Sequence, residues 1–174
     1  MITCNPQEIT TVSITSLAPG DLFAYSGSAG KITAVVVEND TKSNFLSWLR
    51  LSGSHAFAME WMRGMHANRA DANVVKLPQK LDALRVQIEQ SEISRKTEFT
   101  LGALLIDEHP RIVTAFIAND RHSLEDELWA VSLRDLTRTR PSYGYTCDEW
   151  RLLYVPDDLP PEVIASFSVE KERG

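Results

Sequence analysis

Residues 32–40, ITAVVVEND, decide the fold that this sequence predicts. The three consecutive valines are strong strand formers, and the Asn-Asp pair that follows is a turn signal. Working outward, the runs at 22–25 and 45–51 also predict strands, and the glycines of residues 27–30 suit a tight connection. These runs together predict an antiparallel three-stranded meander.

A second meander is predicted further along the chain. Strands are expected over 98–106 and 111–117, joined by a turn at 108–110 that contains a proline. Proline has no backbone N–H to give to a ladder, so it fits the turn and not a strand. The segment 128–133 then completes a second set of three strands.

The two meanders resemble each other in sequence. Residues 32–43, ITAVVVENDTKS, align with residues 113–123, VTAFIANDRHS, if one residue is dropped before the Asn-Asp pair, and each stretch is followed by a tryptophan, Trp48 or Trp129. Such a period is a sign of repeat architecture. It predicts two halves, about 10–92 and 93–174, related by approximate two-fold symmetry around a shared core.

One segment allows a different interpretation. Leu77, Leu81, Leu84 and Ile88 have the spacing of one helix face, and a proline at position 78 suits a first helical turn. Leu84 and Ile88 also belong to an alternating pattern that is typical of a strand. The expected fold is therefore mainly β, an antiparallel barrel or sandwich with one or two short helices. The alternative is an α+β fold with a helix at about 78–90.

Composition limits the class of protein. With 174 residues, 43% of them hydrophobic, the chain can bury a core and predicts a single domain over 1–174. Its first residues lack the basic and apolar regions of a secretory signal, and two cysteines are too few for a disulfide framework. These features predict a cytoplasmic protein.

The charge pattern disfavours two kinds of partner. The net charge is −6, and basic and acidic residues are balanced over residues 1–90, so the whole excess lies in the second half. Nucleic acids and anionic membrane surfaces both require clustered Lys and Arg. No basic run supplies them, so neither nucleic acid nor membrane is expected as a partner.

Catalytic signatures are weak. His55, Glu60 and His66 lie within twelve positions, and a histidine-carboxylate set can bind zinc or transfer protons. Histidines scattered through a chain also produce such neighbourhoods by chance. No zinc-binding His pair, phosphate loop or nucleophile elbow is present. The three residues are candidates for a small hydrolase or a metal- or ligand-binding enzyme, and no cofactor or metal is expected.

A dense apolar segment gives the other candidate site. Phe57, Met59, Trp61 and Met65 lie within nine positions, and aromatic residues and methionine are enriched at recognition surfaces. The same residue types also fill cores. The sequence therefore predicts a binding or interaction module without catalytic function, contacting a protein partner or a second copy of itself. A small ligand is the alternative partner.

Overall fold

The computed structural model describes residues 10–27, 30–53, 55–63, 72–88, 93–96, 99–106, 113–120, 127–141, 144–155 and 160–168. Within these ranges the strands are β1 (Thr10–Ser13), β2 (Asp21–Gly27), β3 (Gly30–Asp40), β4 (Phe45–Arg50), β5 (Ala58–Arg63), β6 (Asn73–Lys80), β7 (Leu84–Ile88), β8 (Ile93–Lys96), β9 (Leu104–Ile106), β10 (Val113–Asp120), β11 (Leu128–Ser132), β12 (Arg138–Thr139), β13 (Gly144–Cys147), β14 (Glu149–Tyr154) and β15 (Glu162–Ser168). The helical elements of the described residues are two single 3₁₀ turns, Ile14–Ser16 and Leu81–Ala83. The mainly β prediction is confirmed.

Both predicted meanders form, but the strand expected over 98–106 is too long: β9 covers Leu104–Ile106, and the chain turns at residues 101–102, where Gly102 has a φ of 89°. The turn expected at 108–110 lies outside the described residues. Strands β2, β3 and β4 pair antiparallel, with Leu22 opposite Val35 and Val35 opposite Leu49. Strands β9, β10 and β11 pair in the same way. The two units join in one twelve-stranded sheet because the end of β10 runs parallel to the start of β5, with Asn119 opposite Ala58.

The large sheet has the strand order β1-β6-β2-β3-β4-β5-β10-β9-β13-β8, with β11 and β12 branching from β10. In this order β1 and β8 lie at opposite ends and do not pair with each other within the described part of the chain. The arrangement is therefore sandwich-like and not a closed barrel. A second sheet, of order β15-β14-β7, forms the other layer.

A β-bulge falls where the two similar stretches differ in length. The register between β3 and β4 shifts between Val36 and Glu38, whereas β10 and β11 stay in register from Ala115 to Asn119. A bulge inserts one extra residue into one strand, and the alignment of the two stretches drops one residue at this point. This agreement favours the internal duplication, which stays a prediction.

The helix considered for 78–90 does not form. Strand β6 runs to Lys80, one 3₁₀ turn follows, and β7 occupies Leu84–Ile88. The alternation of partly buried and exposed residues along β7 matches its pairing with β14. The leucine spacing fits the period of a helix and that of a strand. The strand forms because an extended chain can pair with β14. The α+β alternative is wrong.

The two layers share one core. Its largest members include Trp150 from β14, which is 1% exposed, Met59 from β5 and Leu104 from β9. The Trp150 indole donates a hydrogen bond of 2.8 Å to the carbonyl of Gly102. This buried bond ties the small sheet to the loop before β9.

A second cluster occupies the opposite face of the large sheet. Val36 and Trp48 pack there with Phe23, beneath Ile14 and Leu17 from the chain that follows β1. The central strands are therefore buried on both faces. That explains why the three valines of β3 form an uninterrupted apolar run and do not alternate with polar residues.

A buried carboxylate fixes the start of β2. Asp21 is 1% exposed. One of its oxygens, Oδ2, accepts hydrogen bonds from the ammonium of Lys76 at 2.7 Å and from the backbone N–H of Ala18 at 2.9 Å. Burial alone would raise the pKa of Asp21, but these bonds and the charges of Lys76 and Lys80 together hold it below its usual value.

This lowered pKa makes stability depend on pH. The unfolded state, with an Asp pKa of about 3.9, binds more protons than the folded state between the two pKa values, so stability rises with pH through that interval. The contribution is complete above the unfolded pKa and is lost as pH falls through the folded one. In denaturant titrations we expect wild type to exceed Asp21→Asn in unfolding free energy near neutral pH, by a margin that shrinks below about pH 4. A margin independent of pH would contradict this role.

Candidate functional site

The three candidate catalytic residues do not form a site within the described residues. His55 lies exposed in the turn before β5, with a φ of 57°. Glu60 lies within β5, and His66 lies outside the described residues. The described residues contain no group of three or more His, Cys, Asp or Glu side chains placed to hold a metal ion. The enzyme alternative stays a prediction.

Glu60 instead is the centre of a polar cluster on the second face of the large sheet. It lies opposite Trp48 in the β4–β5 ladder and forms an ion pair with Arg50, both side chains being nearly buried at 12% and 9% exposure. Its Oε2 atom accepts hydrogen bonds from the Trp48 indole at 3.1 Å and from the Tyr25 hydroxyl at 3.3 Å. The carboxylate is held by three donors from two strands.

Tyr25 completes this cluster. The Arg50 guanidinium carbon lies 6.0 Å from the centre of the Tyr25 ring, within the range of a cation–π contact. Burial raises the pKa of the Tyr25 hydroxyl; the hydrogen bond from Trp48 opposes that rise and the charge of Glu60 adds to it. The cluster therefore holds a neutral phenol and a carboxylate whose oxygens are already hydrogen-bonded or ion-paired. This arrangement is suited to joining β2, β4 and β5 and not to proton transfer.

The predicted binding residues divide between the core and the surface. Phe57 and Met59 are 3% and 1% exposed and belong to the core that the two sheets share. The Phe57 ring meets Trp150 and Phe167 edge-on, with centroid distances of 5.4 and 5.5 Å. In this structure Phe57 and Met59 are thus not available to a partner.

Trp61 is the exposed member of the set. It is 38% exposed, the highest value among the aromatic side chains of the described residues. Its ring packs beside Phe45 of β4, with centroids 6.3 Å apart. Met65, the fourth candidate, lies outside the described residues. The exposed Trp61 and the partly buried Phe45 are together called the aromatic patch below.

Sequence reasoning missed four residues of these two features: Tyr25, Trp48 and Arg50 of the Glu60 cluster and Phe45 of the aromatic patch. Trp48 and Arg50 are two positions apart, so strand alternation places them on one face, and that signal was present in the sequence. The sequence gives no signal for the register that brings Glu60 opposite Trp48. Phe45 becomes a neighbour of Trp61 through the same β4–β5 register.

Comparison with models of known protein families, with curated protein sequences and with solved structures finds no match to this chain. Among the residues that the structure describes, no helix is long and apolar enough to span a membrane.

Proposed function

We propose that this protein is a non-catalytic interaction module that binds another protein chain through the aromatic patch. The observation that carries the proposal is the exposure of Trp61, a large aromatic side chain that the fold leaves at the surface while burying its neighbours Phe57 and Met59. Tryptophan is the residue type most enriched among those that dominate binding energy at interfaces. A second copy of this chain is one candidate partner.

The surroundings of Trp61 support this role. Trp61 is in β5 and Phe45 is in the neighbouring strand β4, both within a continuous antiparallel ladder. A rigid aromatic side chain on a paired strand gives contact area with little loss of conformational entropy. Arg63, opposite Phe45 in the ladder and exposed, supplies a polar rim of the kind that surrounds interface anchors.

The occupancy of Glu60 also favours binding over catalysis. A general base needs a free lone pair within reach of the substrate proton. Glu60 already accepts from Trp48 and Tyr25 and is paired with Arg50. Glu60 is the catalytic candidate whose side-chain contacts are described above, and those contacts hold it within the fold.

Site-specific photo-crosslinking tests the proposal. A photoreactive phenylalanine analogue is placed at position 61, or at position 145 as a matched control, because Tyr145 is 37% exposed on a different strand, β13. After irradiation in the producing cells, we expect a covalent adduct with a protein from position 61 and much less from position 145.

Mass spectrometry of the adduct identifies the partner. An adduct at twice the mass of this chain identifies a second copy, and another mass identifies a different protein. Equal yields from the two positions, or no adduct from position 61, would overturn the proposal.

A further inference from the structure

A groove lies between the two sheets, away from the aromatic patch. Its larger part, about 370 Å³, is bounded by the end of β6 and by Tyr154 of β14. A second part of about 260 Å³ lies between Lys31 of β3 and Glu162 of β15. Pro78 and Gln79 line both parts, so the two parts are neighbours. The larger part alone falls in the size range of small ligand sites.

Irregular pairing on both sides makes this groove. Between Asp21 and Phe23 of β2, the partner strand β6 advances from Lys80 to Lys76, so residues 77–79 have no regular ladder partner in β2. Strand β1 pairs with β6 only at residues 73–76. Proline in β6 has no N–H to give to a ladder, which accounts for the break at this point.

The facing strand is irregular at the same place. The register of β14 with β15 shifts between Leu152 and Leu153, which lie opposite Ala165 and Val163. Ile164 is thus the extra residue of a bulge, and it lines the groove together with Val163. Among the described strands β15 pairs with β14 alone, so its other edge is open. Bulges are common beside binding sites because they redirect side chains.

Gln79 gives the groove its chemistry. Only 8% of the residue is exposed, and none of the side-chain hydrogen bonds among the described residues uses its amide. Its amide atoms are not among the fully buried atoms without a partner, so the amide reaches the groove and can bond to a ligand there. A primary amide offers a donor and an acceptor side by side, which complements the C=O and N–H of a peptide backbone.

Charge and apolar area complete the description. Lys31, from the large sheet, and Glu162, from the small sheet, are both exposed and both line the groove. Val163, 52% exposed, adds an apolar surface to the lining. A ligand that fits would carry a negative group near Lys31, a positive group near Glu162 and a peptide group near Gln79.

We propose that this groove binds a short extended polypeptide segment through its backbone, with Gln79 pairing with a peptide group and Lys31 and Glu162 selecting an acidic and a basic side chain. The open edge of β15 can add hydrogen bonds to the same segment, as in strand addition to a sheet edge. The groove shares no lining residue with the aromatic patch, and the proposal does not depend on that patch.

Nuclear magnetic resonance of the ¹⁵N-labelled protein tests this site. The probe is the blocked tripeptide N-acetyl-Glu-Ala-Lys-amide, and glucose serves as a polar small molecule without a peptide group. We expect the tripeptide to shift the side-chain NH₂ signals of Gln79 and the backbone signals of Lys31 and Val163. The side chain of Gln87, exposed on β7, gives a control signal that should not move.

Two substitutions separate binding from structure. Gln79→Leu should weaken tripeptide binding by about tenfold, the effect of losing one or two hydrogen bonds. It should not lower the melting temperature, because no side-chain hydrogen bond among the described residues uses the amide. Lys31→Glu should also weaken binding. Gln87→Leu should change neither quantity.

Three results would overturn the proposal. They are an absence of shifts at Gln79 with the tripeptide, shifts with glucose as large as those with the tripeptide, and unchanged tripeptide affinity in Gln79→Leu.

Discussion

Gly102→Ala should destabilise the protein by roughly 3–5 kcal/mol, combining a left-handed backbone with overpacking of the core. Gly102 has a φ of 89°, and a Cβ atom at this position would lie 2.6 Å from ring atoms of both Phe57 and Phe167. The backbone has little room to move away, since the Gly102 N–H donates to Ile117 at 2.8 Å and its carbonyl accepts from Trp150. Denaturant-induced unfolding measures the loss.

Gly20→Ala is the matched control. Gly20 has nearly the same φ, 86°, but no atom lies within 4 Å of an added Cβ. This substitution should therefore show only the backbone effect, about 1–2 kcal/mol. The difference between the two variants isolates the clash with the aromatic rings. Equal losses would show that the junction of Phe57, Trp150 and Phe167 is not packed as described.

Glu60→Gln should cost about 3 kcal/mol, since removing one charge of a nearly buried ion pair leaves the other poorly compensated. The substitution keeps the shape of the side chain and an oxygen that can accept from Trp48 or Tyr25. It removes the charge that faces Arg50. A double-mutant cycle with Arg50→Met measures the coupling between the two side chains, which should be large.

Glu127→Gln provides the comparison for this prediction. Glu127 pairs with Arg140 at 3.0 Å, but the side chains are 33% and 77% exposed. Surface ion pairs contribute about 0–1 kcal/mol, so this variant should be close to wild type. A similar small effect for Glu60→Gln would mean that the Glu60 cluster contributes little to stability.

Much of the fold could be predicted because strand propensity and turn residues act locally. The valines of β3 and the Asn-Asp pairs that end β3 and β10 were enough to predict where both meanders lie in the sequence. The segment 78–90 was ambiguous because Leu81, Leu84 and Ile88 satisfy helical and strand periods at once. Only pairing with β14, a strand far along the chain, decides it.

The site was harder to predict because burial depends on partners distant in sequence. Phe57 and Trp61 belong to one apolar segment, yet Phe57 packs on Trp150 and Phe167 while Trp61 remains 38% exposed. No local pattern distinguishes them. The groove was missed for the same reason, since Gln79 and Glu162 become neighbours only when the two sheets pack.

The proposed contact through Trp61 is tested by the dissociation constant of the non-covalent complex between this protein and the partner identified by crosslinking at position 61. We expect Trp61→Ala to raise its dissociation constant by about 30-fold or more, corresponding to the roughly 2 kcal/mol of an interface anchor. Tyr145→Ala, at a position of similar exposure, should leave the constant within about twofold of wild type. Unchanged affinity in Trp61→Ala would contradict the account.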